Sequence, residues 1–124
     1  MPYEELTIDN SALDSSNILK SEKYDIQVVD VAEDDYNTGD VLTFDATTNT
    51  YKKGAFSEAV KAVVIDKAHA IDGHEVKTQA LVRGSVDGNM LKDKDGNELK
   101  AQGDDVKGAV TASAKDNSII VRFD

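Results

Sequence analysis

The sequence predicts a mainly β body, with room for one short helix, preceded by an extended N-terminal arm. Three observations point there. Several segments alternate apolar and polar residues with the period of two that a half-buried strand requires, "TQALVRGSV" (Thr78–Val86) most clearly. Clusters of Asn, Asp, Gly and Thr separate these segments and carry turn chemistry. The one proline stands at position 2, so no proline interrupts a hydrogen-bonded ladder in the body.

The 124 residues fit one domain. Aromatic residues are 6% of the chain and tryptophan is absent, so the core must be built from Val, Ile, Leu and Ala. There is no cysteine, which removes disulfides, thiol catalysis and cysteine-based zinc sites from consideration. The formal net charge of −10 disfavours phosphate backbones and anionic lipid, so neither nucleic acid nor membrane is an expected partner. No segment approaches the ~20 apolar residues that span a bilayer. The acidic start "MPYEELTIDNSALD" is unlike a basic export leader, and no export signal is expected from it.

Residues 1–23 form the expected arm. Their apolar residues are sparse: Leu6, Ile8, Leu13, Ile18 and Leu19. Leu6 and Ile8 share one face of any strand they form, because side chains two apart point the same way. Such a segment builds no core alone. It is either loose or a strand in need of a partner sheet, and Leu6, Ile8 and Leu13 are the candidate contact residues of that strand.

The single β-rich domain is expected over residues 24–124. "YDIQVVDVA" places Tyr24, Ile26 and Val28 on one face and Val29 and Val31 on the other, a phase change that implies a bulge or burial on both faces. "EDDYNTGD" is a turn. "VLTFDATTNTYKK" reads as a hairpin from Val41–Phe44 to a return at Tyr51. "SEAVKAVVIDKA" (57–68) is ambiguous. Phe56, Ala59, Val60, Val63 and Val64 have helical spacing behind Ser57 as a candidate N-cap, whereas "VKAVVID" has the content of a buried strand. A turn at Asp72-Gly73 precedes "VKTQALVRGSV", with Val76, Thr78, Ala80 and Val82 on one face and Gly84 closing the strand. The Asp-Gly-Asn triplets at Asp87 and Asp95 mark an exposed excursion. "DDVKGAVTASA" is either a short helix capped by Asp104 or Asp105, or a strand paired with the terminal strand Ile119–Phe123.

No catalytic constellation stands out. His69 and His74 are five apart and flank a turn, without the spacing of a zinc helix. Ser57, Ser85, Ser113 and Ser118 lie outside any nucleophile-elbow context. No glycine-rich phosphate loop occurs. Asp93–Glu98, "DKDGNE", superficially resembles a calcium loop, but Gly96 falls at position four where six is required, so a β-turn is expected. No catalytic residue, metal or cofactor is therefore assigned, and the chain is read as a non-enzyme. Arg83 and Arg122 are read as covering a sheet edge or pairing with carboxylates.

From Gly39 onward the run "TGDVLTFDATTNTYKKGAF", "AVKAVVIDKAHAIDG", "TQALVRGSVDGNML" and "SIIVRF" resembles the bacteriophage head decoration proteins related to the lambda head protein D. The resemblance covers roughly residues 38–92 and 117–123. It implies a small β-rich homotrimer that clamps neighbouring subunits of the major capsid protein on the outer surface of the virion. It also implies an N-terminal arm that orders by adding strand contacts there. By the same resemblance Val60–Asp66 is a strand rather than a helix. The chain departs from the family pattern at Val63 and Asp87, where the family has glycine and asparagine, and residues 92–108 are read as a hairpin insertion. The alternative reading is an extracellular β-rich recognition or adhesin module binding carbohydrate or calcium. A third, an acidic hydrolase, lacks a visible nucleophile–base pair.

Overall fold

The computed structural model describes residues 24–67 and 75–123. The arm, with Leu6, Ile8 and Leu13, lies outside the described residues, as do His69, Asp72 and His74. The body is mainly β, as expected. Its strands are β1 (Asp25–Asp34), β2 (Val41–Asp45), β3 (Thr50–Lys53), β4 (Ala62–Lys67), β5 (Glu75–Asp87) and β6 (Ile119–Arg122), with one α-helix, α1 (Asp104–Lys115). The sheet runs β1-β3-β2-β4-β5-β6, and an additional pairing of β1 with β5 closes the first five strands into a barrel.

The barrel interior is narrow, and its residues are small or branched. Val29, Val31, Leu42, Ala62, Val64 and Ala80 fill it, with Tyr36 fully buried among them. Alanines at 62 and 80 allow opposing walls to approach, as a five-stranded barrel requires. The outer faces of β2, β4 and β5 are buried too. Val41, Val63, Ile65 and Leu81 form a second core with Leu91, Leu99, Val110, Ala114, Ile119 and Val121. The ambiguous run at 57–68 is thereby resolved: Val63 and Val64 face opposite cores, so a continuous apolar strand mimics helical spacing. Ser57 caps no helix; it lies in a turn before β4.

The hairpin of β2 and β3 pairs Leu42 with Lys53 and Phe44 with Tyr51. In β1 the ladder to β5 is unbroken from Ile26 to Asp30, so no bulge separates Val28 from Val29; the register shifts lie at Asp25/Ile26 and between Asp30 and Asp34. Burial on both faces is not found: Val29 and Val31 are buried, whereas Ile26 and Val28 are 36% and 58% exposed.

Gly84 does not close β5, which runs on to Asp87. Its φ of +131° lies in a region that suits glycine. Before it, Ala80 faces the barrel and Leu81 the second core; beyond it, Val86 faces the second core. The glycine thus shifts the alternation by one residue, and Gly84–Asp87 pair in parallel with Ile119–Arg122 of β6. A parallel pair needs a long crossover, here the segment 88–118 that carries α1.

The crossover is less exposed than the sequence implies. Leu91 and Leu99 are fully buried, and Lys92 bridges both Asp40 and Glu98. The expected hairpin over 92–108 is cut short: Lys92 and Glu98 pair antiparallel around the Asp93–Asn97 turn, and the rest of the range is a short 3-10 turn at Leu99–Ala101 and the start of α1. The open choice for residues 104–114 falls to the helix, which buries Val110 and Ala114. Its N-cap is Gly103, not Asp104 or Asp105; these two occupy the first turn, where they complement the helix dipole, as Lys115 does in the last.

Gly39 locks the crossover to the barrel. With φ +97°, it donates its N–H to Val64 O at 2.9 Å and accepts from Lys92 N at 3.0 Å. A Cβ at Gly39 would meet the carbonyl oxygen of Met90 at 2.0 Å. Gly39→Ala is therefore expected to cost about 3 kcal/mol or more, through both the clash and the positive φ. Urea denaturation checks this; a midpoint equal to that of the unsubstituted protein would contradict the lock.

Candidate functional site

Two concave surfaces open at the barrel. The first, about 570 Å³, lies where the β1–β2 connection, β3 and the 92–98 segment meet, and is lined by Asn37, Asp40, Lys53, Lys92, Asp93 and Asn97 among others. It is built from two turns, each fixed by an aspartate side chain that accepts from backbone amides. At 37–40, Asn37 N donates to Asp40 Oδ2 at 2.8 Å, while Asp40 N donates back to Asn37 O at 3.0 Å. At 93–97, Asp93 Oδ1 accepts from the amides of Asp95 and Asn97, both at 2.9 Å, and Oδ2 accepts from Asn97 Nδ2 at 3.1 Å. Gly96 takes φ +82° to close that turn. "DKDGNE" is thus a turn organised by its own aspartate, as its spacing implies.

The two aspartates titrate in opposite senses. Burial raises the pKa of Asp40, and the Asn37 amide with the charges of Lys53 and Lys92 only partly opposes this. Burial also pushes Asp93 upward, but the hydrogen bonds from Asn97 and from the Asp95 amide, together with Lys94, outweigh it and leave the pKa lowered. Lys53 stands 3.7 Å from Asp34 and 5.7 Å from the centre of the Tyr36 ring, so its ammonium caps one end of the barrel.

The second surface, about 410 Å³, is the opposite mouth of the barrel, lined by Phe44, Tyr51, Lys61, Val82 and Asn117. Phe44 and Tyr51 meet edge to face, with ring centroids 5.1 Å apart and planes at 74°. Lys61 Nζ donates to Asn117 Oδ1 at 3.2 Å on the rim.

The serines singled out from the sequence are not brought together. Ser113 Oγ, on α1, accepts from Val60 N at 2.8 Å and ties the helix to the connection that leads into β4. Ser118 sits in the turn before β6 with φ +66°, Ser57 in another turn and Ser85 on β5. No histidine falls among the described residues. No group of three or more metal-ligating side chains occurs among them. Arg83 Nη2 lies 2.7 Å from Asp25 Oδ2, which places it across the β1–β5 ladder as a carboxylate partner. Arg122 stands opposite Asp87 in the β5–β6 register. Sequence reasoning missed the pairing of Asp40 with the 92–98 segment, whose signal is faint: an Asn-Thr-Gly-Asp turn and a distant Asp-Gly-Asn turn, 55 positions apart by residue number (95 minus 40).

Comparison with family models, curated proteins and solved structures finds no match for the chain.

The two aspartates give stability effects of opposite sign. Asp40, with its raised pKa, contributes stability that is present below the unfolded value near 3.8 and is lost as pH rises through the folded value. Asp93, with its lowered pKa, contributes stability present above 3.8 and lost as pH falls through the folded value. Asp40→Asn is expected to match or exceed the parent's stability at pH 7, with any gain fading below pH 3.8. Asp93→Asn is expected to lose about 1 kcal/mol at pH 7 and to converge with the parent in acid. Thermal unfolding from pH 2 to 7 measures both; parallel curves would refute the assignment.

Proposed function

We propose that the protein decorates the outer surface of a phage capsid and stabilises it by bridging major capsid protein subunits, without catalysing a reaction. The observation that carries this reading is the order and content of the strand motifs. "TGDVLTF", "AVVID", "TQALVRGSV" and "SIIVRF" resemble, in sequence order, the strands of the lambda head protein D relatives. The β-rich body is compatible with the fold that the resemblance implies. A body buried on both faces of its sheet, with net charge −10 and no cysteine, suits a protein that must resist deformation and remain dispersed at high local concentration.

In this reading residues 1–23 are the capsid-binding arm. Leu6, Ile8 and Leu13 supply apolar side chains, and the backbone supplies strand hydrogen bonds to the capsid protein. Ordering such a segment costs about 1–2 kcal/mol per residue, so the contact is favoured by several arms acting together, as in a homotrimer.

Deletion of residues 1–20 is expected to leave a folded, soluble body that no longer co-sediments with undecorated capsid shells of its own phage. Undiminished co-sedimentation of the shortened chain would overturn the arm. Sedimentation equilibrium of the intact protein on and off the shell tests the trimer.

A further inference from the structure

The 570 Å³ cleft at the joint between barrel and crossover is polar throughout. No apolar side chain lines it, and its charges balance: Lys53, Lys92 and Lys94 against Asp40, Asp93 and Glu98. Balanced charge exerts no net pull on an ion of either sign, least of all on an anion approaching a chain of net charge −10. A metal ion is equally ill served, because no group of three or more ligating side chains occurs among the described residues. An apolar ligand finds no surface to bury against. The wall suits a neutral ligand rich in both donors and acceptors.

Asp40 narrows the choice. It is only 5% exposed, and that exposure is to the cleft it lines. Its Oδ2 accepts from Asn37 N at 2.8 Å, while no donor among the described residues reaches Oδ1. The charges of Lys53 and Lys92 act on the carboxylate through space, but neither ammonium comes within ion-pair distance of it; Lys53 is held 3.7 Å from Asp34 instead. A buried acceptor short of a donor carries a cost that a ligand can remove. The group that fits between a carboxylate oxygen and an ammonium donates to the first and accepts from the second, and a hydroxyl does both. On the same wall Asn97 commits its Nδ2 to Asp93, which leaves its amide oxygen as a further acceptor. These groups stand on fixed backbone. Asp40 and Lys92 bridge directly, Lys92 pairs with Glu98, and Lys94 N donates to Gly54 O at 3.0 Å. A ligand therefore meets them already in place.

We propose that this cleft binds a neutral sugar, with one ring hydroxyl donating to Asp40 Oδ1 and accepting from Lys92, and neighbouring hydroxyls meeting Lys53, Lys94 and Asn97. Hydroxyls held at fixed spacing on one ring fill several such gaps at once, with less ordering than separate small molecules require. Fastening the crossover to the barrel creates the cleft; the groups left on its wall select what enters it. The inference is independent of the arm and of any capsid.

The test is an amide NMR titration of the full chain with the methyl glycosides of glucose, galactose, mannose and N-acetylglucosamine. Inorganic phosphate and calcium chloride serve as ionic controls. At least one glycoside is expected to give saturable shifts at residues 37–40 and 92–98, with a Kd of about 1–10 mM, and the ions to give none there. Asp40→Asn, expected above to fold at least as stably as the parent, exchanges the free acceptor for an amide donor and removes the charge. It is expected to weaken the bound glycoside about tenfold. Lys92→Met keeps the aliphatic stem, removes the bridging ammonium and is expected to weaken it as well, which keeps the test open should the first variant not fold. No saturable shift with any of the four glycosides would overturn the proposal. So would tighter binding of phosphate or calcium at these residues, or unchanged glycoside affinity in either folded variant.

Discussion

The fold depends on one sheet being buried on both faces. The central strands β2, β4 and β5 put Leu42, Val64 and Ala80 into the barrel and Val41, Val63 and Leu81 into the second core. Each fully buried Val or Leu contributes about 1.5–3 kcal/mol, and because these strands carry such side chains on both faces, both faces must be covered. The barrel closure covers one face. The crossover, with Leu91, Leu99 and α1, covers the other. The crossover is therefore part of the sheet's energetics and not an appendage to it. β5 can serve both cores and then receive β6 only because Gly84 shifts its alternation.

That arrangement concentrates demand at the joint between barrel and crossover. Gly39, Asp40 and Val41 make backbone hydrogen bonds to Val64, Lys92 and Asn37, and Lys94 N reaches Gly54 O at 3.0 Å. Polar groups drawn into such a joint must be satisfied there. Asp93 accepts three hydrogen bonds from its own turn, and together with Lys94 they outweigh the cost of burial and leave its pKa lowered. Asp40 has fewer partners for more burial, and its carboxylate form is penalised. The cleft between them is the geometric remainder of fastening an irregular segment to a barrel.

Much of this was legible in the sequence, for identifiable reasons. The hairpin at 41–53 and the strand at 119–122 announce themselves by alternation and turn residues. "KAVVID" did not, because a strand buried on both faces loses its period of two, and the remaining spacing imitates a helix. Gly84 looked like a stop because glycine ends strands more often than it re-phases them. Leu91 and Leu99 looked exposed because Asp, Asn and Gly surround them; their burial is set by the β2–β4 surface, far away in sequence. The cleft was illegible for the same reason. Leu6, Ile8 and Leu13, the residues on which the sequence reading rests its function, lie outside the described body.

Double burial also constrains where the molecule can meet a partner. Strands covered on both faces and paired on both edges have no free hydrogen-bonding groups to offer. In the described body, β1 is the strand least bound by this rule. It keeps the apolar Ile26 and Val28 in solvent, and one described pairing joins it to β3. It also follows directly on residues 1–23 in the chain, so the arm and the β1 edge are consecutive pieces of sequence. Val29 and Val31 pack into the barrel while Ile26 and Val28 stay outside, so β1 is the long strand whose outer face the crossover leaves uncovered.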